Sequence, residues 1–310
     1  MPRGHVLPDA PPSLSVDGQW QFGIYRTPFV RVELPAGGLR RLRLKEWQYV
    51  SLTTDDWYVA VGLVQAGYIG SVFVYVVDRS RADAAVEYRS LSPFGRAVHF
   101  APSSVRGTTS WKSRDAKLSI TANEGWDIDI DVPLGGDRLE GRARIEPQGS
   151  LAMLHLLGPG RVGYTHKAAG CRASGRLALG ARTIDLDGGL GASDWTRSQA
   201  NRVTTWKWAS LSGFSADGSA VGLNLSAGVY DDDRGHSVEN AFFIDGEVRP
   251  LGGVRFGVPA TPRTTPWTIQ SIDTDEVELE FQPAGAVEER MNFGVVRSDF
   301  LQPYGRFAGR

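Results

Sequence analysis

The residues best equipped for chemistry in this chain fall between positions 191 and 240. They read Gly191-Ala-Ser-Asp-Trp-Thr-Arg197, Thr205-Trp-Lys-Trp-Ala-Ser210, Gly222-Leu-Asn-Leu225 and Glu239-Asn240. Asp194 stands beside an aromatic wall, Trp195, and near a cation, Arg197. A carboxyl held against an apolar wall has its pKa raised and becomes a proton donor near neutral pH, whereas an adjacent guanidinium lowers it. The sequence does not choose between these two effects. Glu239 is a second carboxylate that could divide acid and base roles with Asp194 if both face one cavity. Tyr164-Thr-His-Lys167 adds a histidine, His166, that could serve as a base or hydrogen-bond donor. Each residue also has a plain structural role open to it: Asp194 as a turn cap or partner of Arg197, Asn224 as a backbone satisfier in a bulge, His166 as a satisfied or surface histidine.

Elements must place these groups. Trp206 and Trp208 are two apart, so on a strand they share a face, with Lys207 on the other. Asn224, between Leu223 and Leu225, opposes two apolar neighbours. Helical periodicity is scarce throughout. Short runs rich in Val, Ile, Tyr, Phe and Trp recur at 58–64, 68–77, 117–122, 126–132, 220–229, 239–244 and 276–282, each bounded by turn-forming residues. Trp126-Asp-Ile-Asp-Ile-Asp-Val132 alternates strictly, giving one dry and one acidic face. Asp217-Gly218 and Asp245-Gly246 read as hairpin loops. The expectation is an all-β protein of two tandem antiparallel barrels: an extended proline-rich arm over 1–15, one barrel over 16–148 and another over 149–310, with 133–150 as the least structured stretch.

Composition bounds the function. The 310 residues carry 34 basic against 35 acidic side chains, a net charge of −1, which excludes a whole-protein electrostatic grip on nucleic acid or an anionic membrane. One cysteine, Cys171, excludes an internal disulfide. No run is long and apolar enough for a membrane span, and no secretory leader is visible, so a cytoplasmic location is the expectation. Phosphate-loop, dinucleotide-binding, zinc-protease and serine-elbow motifs are missing, and the five histidines lack metal-ligand spacing, so neither metal nor cofactor is expected. Nine tryptophans suit both β cores and ligand cavities.

Several stretches resemble the DUF2804 family, a domain of unknown function. They are Leu44-Lys-Glu-Trp-Gln-Tyr49, Gly67-Tyr-Ile-Gly70, Tyr164-Thr-His-Lys167, Asp194-Trp-Thr-Arg197, Thr205-Trp-Lys-Trp-Ala-Ser210, Gly222-Leu-Asn-Leu225, Glu239-Asn240 and Phe300-Leu-Gln-Pro-Tyr-Gly-Arg-Phe-Ala-Gly309. Ser198 stands where the family motif has a glycine. The resemblance implies a pair of lipocalin-like barrels, distantly similar to the carotenoid 1,2-hydratase and AttH-like group, whose members act on hydrophobic substrates with an acidic side chain in an aromatic-lined barrel. None of their catalytic residues transfers to a position here.

The expected activity is a cofactor-independent hydratase, isomerase or cyclase acting on a small or medium hydrophobic molecule. Asp194 would be the general acid and His166 or Glu239 the base. Trp195, Trp206 and Trp208 would wall the cavity and face a cationic intermediate, with Tyr164, Arg197, Asn224 and Asn240 as further ligand contacts. Two other readings stay open: a non-catalytic binding protein for a hydrophobic ligand, and a glycan-acting enzyme using an Asp194/Glu239 carboxylate pair.

Overall fold

Alternation of apolar and polar residues produces strands with one dry face, and such strands must close on one another to hide it. The protein, described by a computed structural model over residues 6–35, 42–81, 85–292 and 297–310, does this in one large sheet, two four-stranded ones and a two-stranded hairpin. His5 lies outside the described residues, as does the start of the arm. A short hairpin pairs β1 (Ser15–Val16) with β2 (Gln19–Trp20). The large sheet holds β3 (Gly23–Tyr25), β4 (Lys45–Thr53), β5 (Trp57–Gln65), β6 (Ile69–Asp78), β7 (Val86–Pro93), β8 (Val98–His99), β9 (Gly107–Lys112) and β10 (Lys117–Ala122). It continues with β11 (Trp126–Leu134), β12 (Asp137–Glu146), β13 (Leu151–Gly158), β14 (Arg161–Leu179), β15 (Arg182–Asp185) and β16 (Leu190–Ser198). The small sheets are β17 (Lys207–Phe214), β18 (Ala220–Ala227), β19 (Ala241–Ile244) and β20 (Glu247–Pro250), then β21 (Val254–Gly257), β22 (Trp267–Ser271), β23 (Glu278–Asn292) and β24 (Arg297–Gly309).

The large sheet runs β7-β6-β5-β4-β16-β14-β12-β11-β10-β9-β8, antiparallel throughout, and curls into a nearly closed barrel. Its interior is filled by Val50, Val61, Val74, Trp111, Trp126, Ile130, Ile145 and their neighbours. The fold is therefore all-β, as the patterning predicts, and lipocalin-like, as the family resemblance implies. No helix among the described residues is long and apolar enough to cross a membrane. The sheet carries strands from both sides of residue 148; sheet membership changes only after Ser198.

The stretch 133–150, read as the least structured, is largely strand. Gly135 and Gly136 both have positive φ, +62° and +89°, and turn the chain in a tight hairpin. Beyond them Leu139, Ala143 and Ile145 point inward. On the outer face Arg138, Arg142 and Arg144 pair with Asp131, Asp129 and Asp127, the last two at 3.0 and 2.7 Å. The run of charges that resembled a linker is the wet face of this ribbon.

Two features set the small sheets against the barrel. Gly170 and Gly222 meet backbone to backbone. A Cβ on Gly222 would lie 2.3 Å from the Ala169 carbonyl carbon, and one on Gly170 2.9 Å from the Val221 carbonyl carbon. Ser212 reinforces the contact by accepting from Gly170 N at 3.0 Å and donating to Gly191 O at 2.9 Å. The long ribbon of β23 and β24 covers the outer face of β5 and β6, where Val287 and Tyr304 pack on Phe73, Tyr75 and Val77.

Candidate active site

Strand alternation decides which side chains meet. In β14, Thr165 and Lys167 point outward from the barrel and Tyr164 and His166 point inward; in β16, Asp194 and Thr196 point outward and Ser193, Trp195 and Arg197 inward. Directly paired residues share a face, and the register pairs Lys167 with Asp194, Thr165 with Thr196, His166 with Trp195 and Tyr164 with Arg197. One strand pair thus carries two different polar clusters, separated by the sheet.

The outer cluster is built on Lys167. Its ammonium lies 2.7 Å from Asp194 Oδ2 and 3.3 Å from Glu239 Oε2, with all three side chains buried. Asp194 Oδ1 also accepts from the Thr196 hydroxyl at 3.0 Å and from Thr165 at 3.4 Å, and the two threonines bond each other at 2.8 Å. Asp194 is therefore surrounded by donors. Glu239 is less fully served: Oε2 meets Lys167 as an ion pair at 3.3 Å and has no hydrogen-bond partner, and Ser226 is the other polar group that acts on this carboxyl.

Two carboxylates share one buried ammonium, and the charges do not balance. Burial pushes the Glu239 carboxyl above its ordinary value, Lys167 opposes that shift, and the charge of Asp194 adds to it; the net direction is upward. Burial alone would lower Lys167, but Asp194 and then Glu239 reverse this and hold it in its charged form. Tyr230 stands near both acids, and burial followed by their charges drives its phenol well above the usual range. The arrangement is a charged lysine, Asp194 bound to it, and a third group, Glu239, pressed toward holding a proton.

Glu239 comes from the connection between β18 and β19, and asparagines fix that connection. Asn224 donates to Glu239 O at 2.8 Å and accepts from Trp208 Nε1 at 2.8 Å. Asn240 accepts from Ser226 N at 2.7 Å and donates to Gly252 O at 2.9 Å. Ser226 and Ser237 bond through their hydroxyls at 2.6 Å. Trp208 closes the cluster, with Lys167 Nζ 5.8 Å from its ring centre and the Tyr49 ring edge-on at 5.3 Å. Tyr49 opens onto a phenol network: its hydroxyl bonds Tyr58 at 2.7 Å, and Gln302 reaches Tyr75 at 2.7 Å and Tyr49 at 3.3 Å.

The structure thus brings together Asp194, Glu239, Trp208 and Asn224 of the expected residues, with Asn240 as a support. It separates the others. His166 points into the barrel against Trp126, ring centres 5.6 Å apart, with neither nitrogen hydrogen-bonded; burial lowers its pKa to about 3, so it is a neutral ring and not the partner base of Asp194. Trp195 and Tyr164 pack together inward at 5.8 Å, and Tyr164 bonds Ser104 at 3.1 Å. Trp206 precedes β17 rather than belonging to it; it is 45% exposed and tilts against Phe300, so it does not share the face of Trp208. Arg197 is pinned inside by Glu46, at 2.8 Å, and by the carbonyls of Val32, Ala101 and Pro102. Lys167, the centre of the cluster, is missed by a reading that treats it as a flank of His166. The signal that finds it is parity: on a strand, the neighbour of an inward histidine faces the opposite cluster.

The architecture places the protein among lipocalin-like β-barrel proteins. It superposes on CghA with a TM-score of 0.50 at 10% identity, covering 80% of this chain and 78% of that one. An AttH protein from Nitrosomonas europaea gives 0.47 at 14% identity (82% and 84% covered), and kievitone hydratase from Nectria haematococca gives 0.47 at 11% (85% and 87% covered). At such identities the likeness is one of fold. No curated protein matches the chain in sequence. The chain belongs to the DUF2804 family, a domain of unknown function, whose profile matches residues 9–310.

Proposed function

We propose that the protein is a cofactor-independent acid–base enzyme of the hydratase, isomerase or cyclase type, acting on a hydrophobic molecule, with Glu239 as the proton donor. The observation that carries this reading is the buried Glu239 carboxyl, which has no hydrogen bond at Oε2 and is pressed toward its protonated form by burial and by Asp194. Fold likeness adds nothing to the choice of chemistry, because barrels of this kind host many functions.

With Glu239 protonated, Lys167, Asp194 and Glu239 sum to zero charge. Transfer of that proton to a substrate double bond leaves the site at −1 at the moment the substrate becomes a cation, so attraction grows along the reaction coordinate. Water then adds to the cation, or a neighbouring proton leaves it, and Glu239 or Asp194 takes up the released proton. Lys167 pairs with Asp194 at 2.7 Å, and Thr165 and Thr196 fix its orientation. This reverses the roles read from sequence, where Asp194 was the acid and Glu239 the base. Trp208, held by Asn224, covers the cluster and offers it an apolar wall.

The test is turnover of a panel of isoprenoid and aromatic alkenes in H₂¹⁸O, read by mass spectrometry. The expected result is label incorporation or an isomerised product that disappears in Glu239→Gln while ligand-induced tryptophan quenching persists. Full turnover by Glu239→Gln would overturn the assignment of the donor. A ligand recovered unchanged from every incubation would favour a binding protein instead.

A further inference from the structure

On the inner side of β16, where Arg197 pairs with Glu46 of β4, lies a cavity of about 420 Å³. That volume falls within the usual range for small-molecule sites. It is walled by Leu34, Leu44, Val98 and Phe100, and its polar lining includes Glu33, Glu46, His99 and Arg197. Asp194 and Arg197 are three apart on β16, so this cavity is on the opposite face from the Lys167 cluster.

Which ligand fits follows from counting donors and acceptors. Arg197 has five N–H groups, and four of them make hydrogen bonds. Nε donates to Glu46 Oε1 at 2.8 Å; Nη1 donates to Val32 O at 2.9 Å and Pro102 O at 3.2 Å; Nη2 donates to Ala101 O at 3.0 Å and stands 2.5 Å from Glu46 Oε1 as an ion pair. An incoming anion would compete with Glu46 and three carbonyls for this guanidinium. Glu46, 8% exposed, spends only Oε1 on Arg197, and no donor among the described residues reaches Oε2. Glu33, exposed at the rim, adds a second carboxylate. Apolar walls, a cation already engaged at every nitrogen and a carboxylate oxygen that no donor among the described residues reaches together ask for an apolar body ending in a charged donor.

We propose that this cavity is a second ligand site, separate from the acid–base cluster, that binds a small organic ammonium ion with its N–H group on Glu46 Oε2 and its apolar body against Leu34, Leu44, Val98 and Phe100. Isothermal titration with a matched set of 4-phenylbutylamine, the corresponding alcohol and the corresponding carboxylate tests it. The amine is expected to bind about tenfold tighter than the alcohol, the value of one charge-assisted hydrogen bond, with the carboxylate weakest. Glu46→Gln is expected to remove the preference for amine over alcohol. Leu44→Trp fills the cavity without touching the Glu46–Arg197 pair and is expected to abolish binding of both, so it decides the matter even if Glu46→Gln fails to fold. Equal affinity for the three probes, no binding of the amine, or amine binding that persists in Leu44→Trp would each overturn the proposal.

Discussion

The two buried charge clusters on β14 and β16 differ in one respect that separates structure from chemistry. Arg197 and Glu46 are matched one to one in charge, and every guanidinium nitrogen donates a hydrogen bond. Lys167 is shared by two carboxylates, so one negative charge has no cation of its own. Their burial is similar: side-chain exposure is 13% and 11% in the first cluster, and 5%, 12% and 5% in the second. Depth therefore does not distinguish them, but balance does. A charge-matched pair fixes strands and loops in place, whereas an unbalanced cluster favours a proton on one of its carboxyls.

Removing each cation is the strongest way to probe this difference. Arg197→Met leaves Glu46 and three carbonyls without their donor and is expected to cost about 3–5 kcal/mol in urea denaturation, as breaking a buried ion pair does. Because the clamp ties Val32 and Ala101 to β16, the loss should be accompanied by proteolysis in the segment before residue 35. Lys167→Met exposes two buried carboxylates to each other and is expected to cost a similar ~3–5 kcal/mol at pH 8. This second loss should shrink as pH falls and the carboxylates take up protons. A pH-independent loss in Lys167→Met would mean that the two clusters do not differ as described.

Smaller effects concern the titrating groups on the two faces, and their signs are opposite. His166 has a folded pKa near 3 against an ordinary 6.5. The unfolded chain therefore binds the proton first, and stability is lost as pH falls from about 6.5 toward 3. His166→Phe should remove that slope and, by deleting two unpaired nitrogens, add about 1–2 kcal/mol. Glu239 behaves the other way. Its folded pKa is raised, so its contribution is full below the ordinary glutamate value and is lost as pH rises through the folded one. Glu239→Gln should flatten that decline and leave the protein slightly more stable at pH 8, the smallest of the four shifts. Chemical denaturation at half-unit pH steps reads both profiles.

Much of the fold was legible because alternation and turn chemistry are local. Trp126–Val132 pairs as its pattern requires, and Asp245-Gly246, with φ of +47° and +83°, makes the turn its residues favour. The ribbon after Pro133 was hidden because its charges satisfy one another across strands, and cross-strand register is not written in a single segment. The site divides along the same line. Asp194 and Glu239 stand out by residue type, and Asn224 by its place between leucines. Lys167 becomes central only through the β14–β16 register, set by strands far apart in sequence. Of the three clustered tryptophans, Trp208 alone covers the acids, because strand parity sends Trp195 inward and the strand begins one residue after Trp206.

The contact between Gly170 and Gly222 bears on how this site can vary. Lys167 and Asp194 ride on the large sheet, while Glu239 is carried by the small one, so the gap between acid and cation is the gap between sheets. Where that gap is closest, it is set by backbone resting on backbone, with no side chain between to be trimmed or enlarged. The contact is a mechanical stop. Exchanges elsewhere in either core can reshape walls and covers for a different substrate while the distance from Glu239 to Lys167 stays as it is. A methyl group at Gly222 would do the reverse: it would leave the walls intact and move the acid away from its partners.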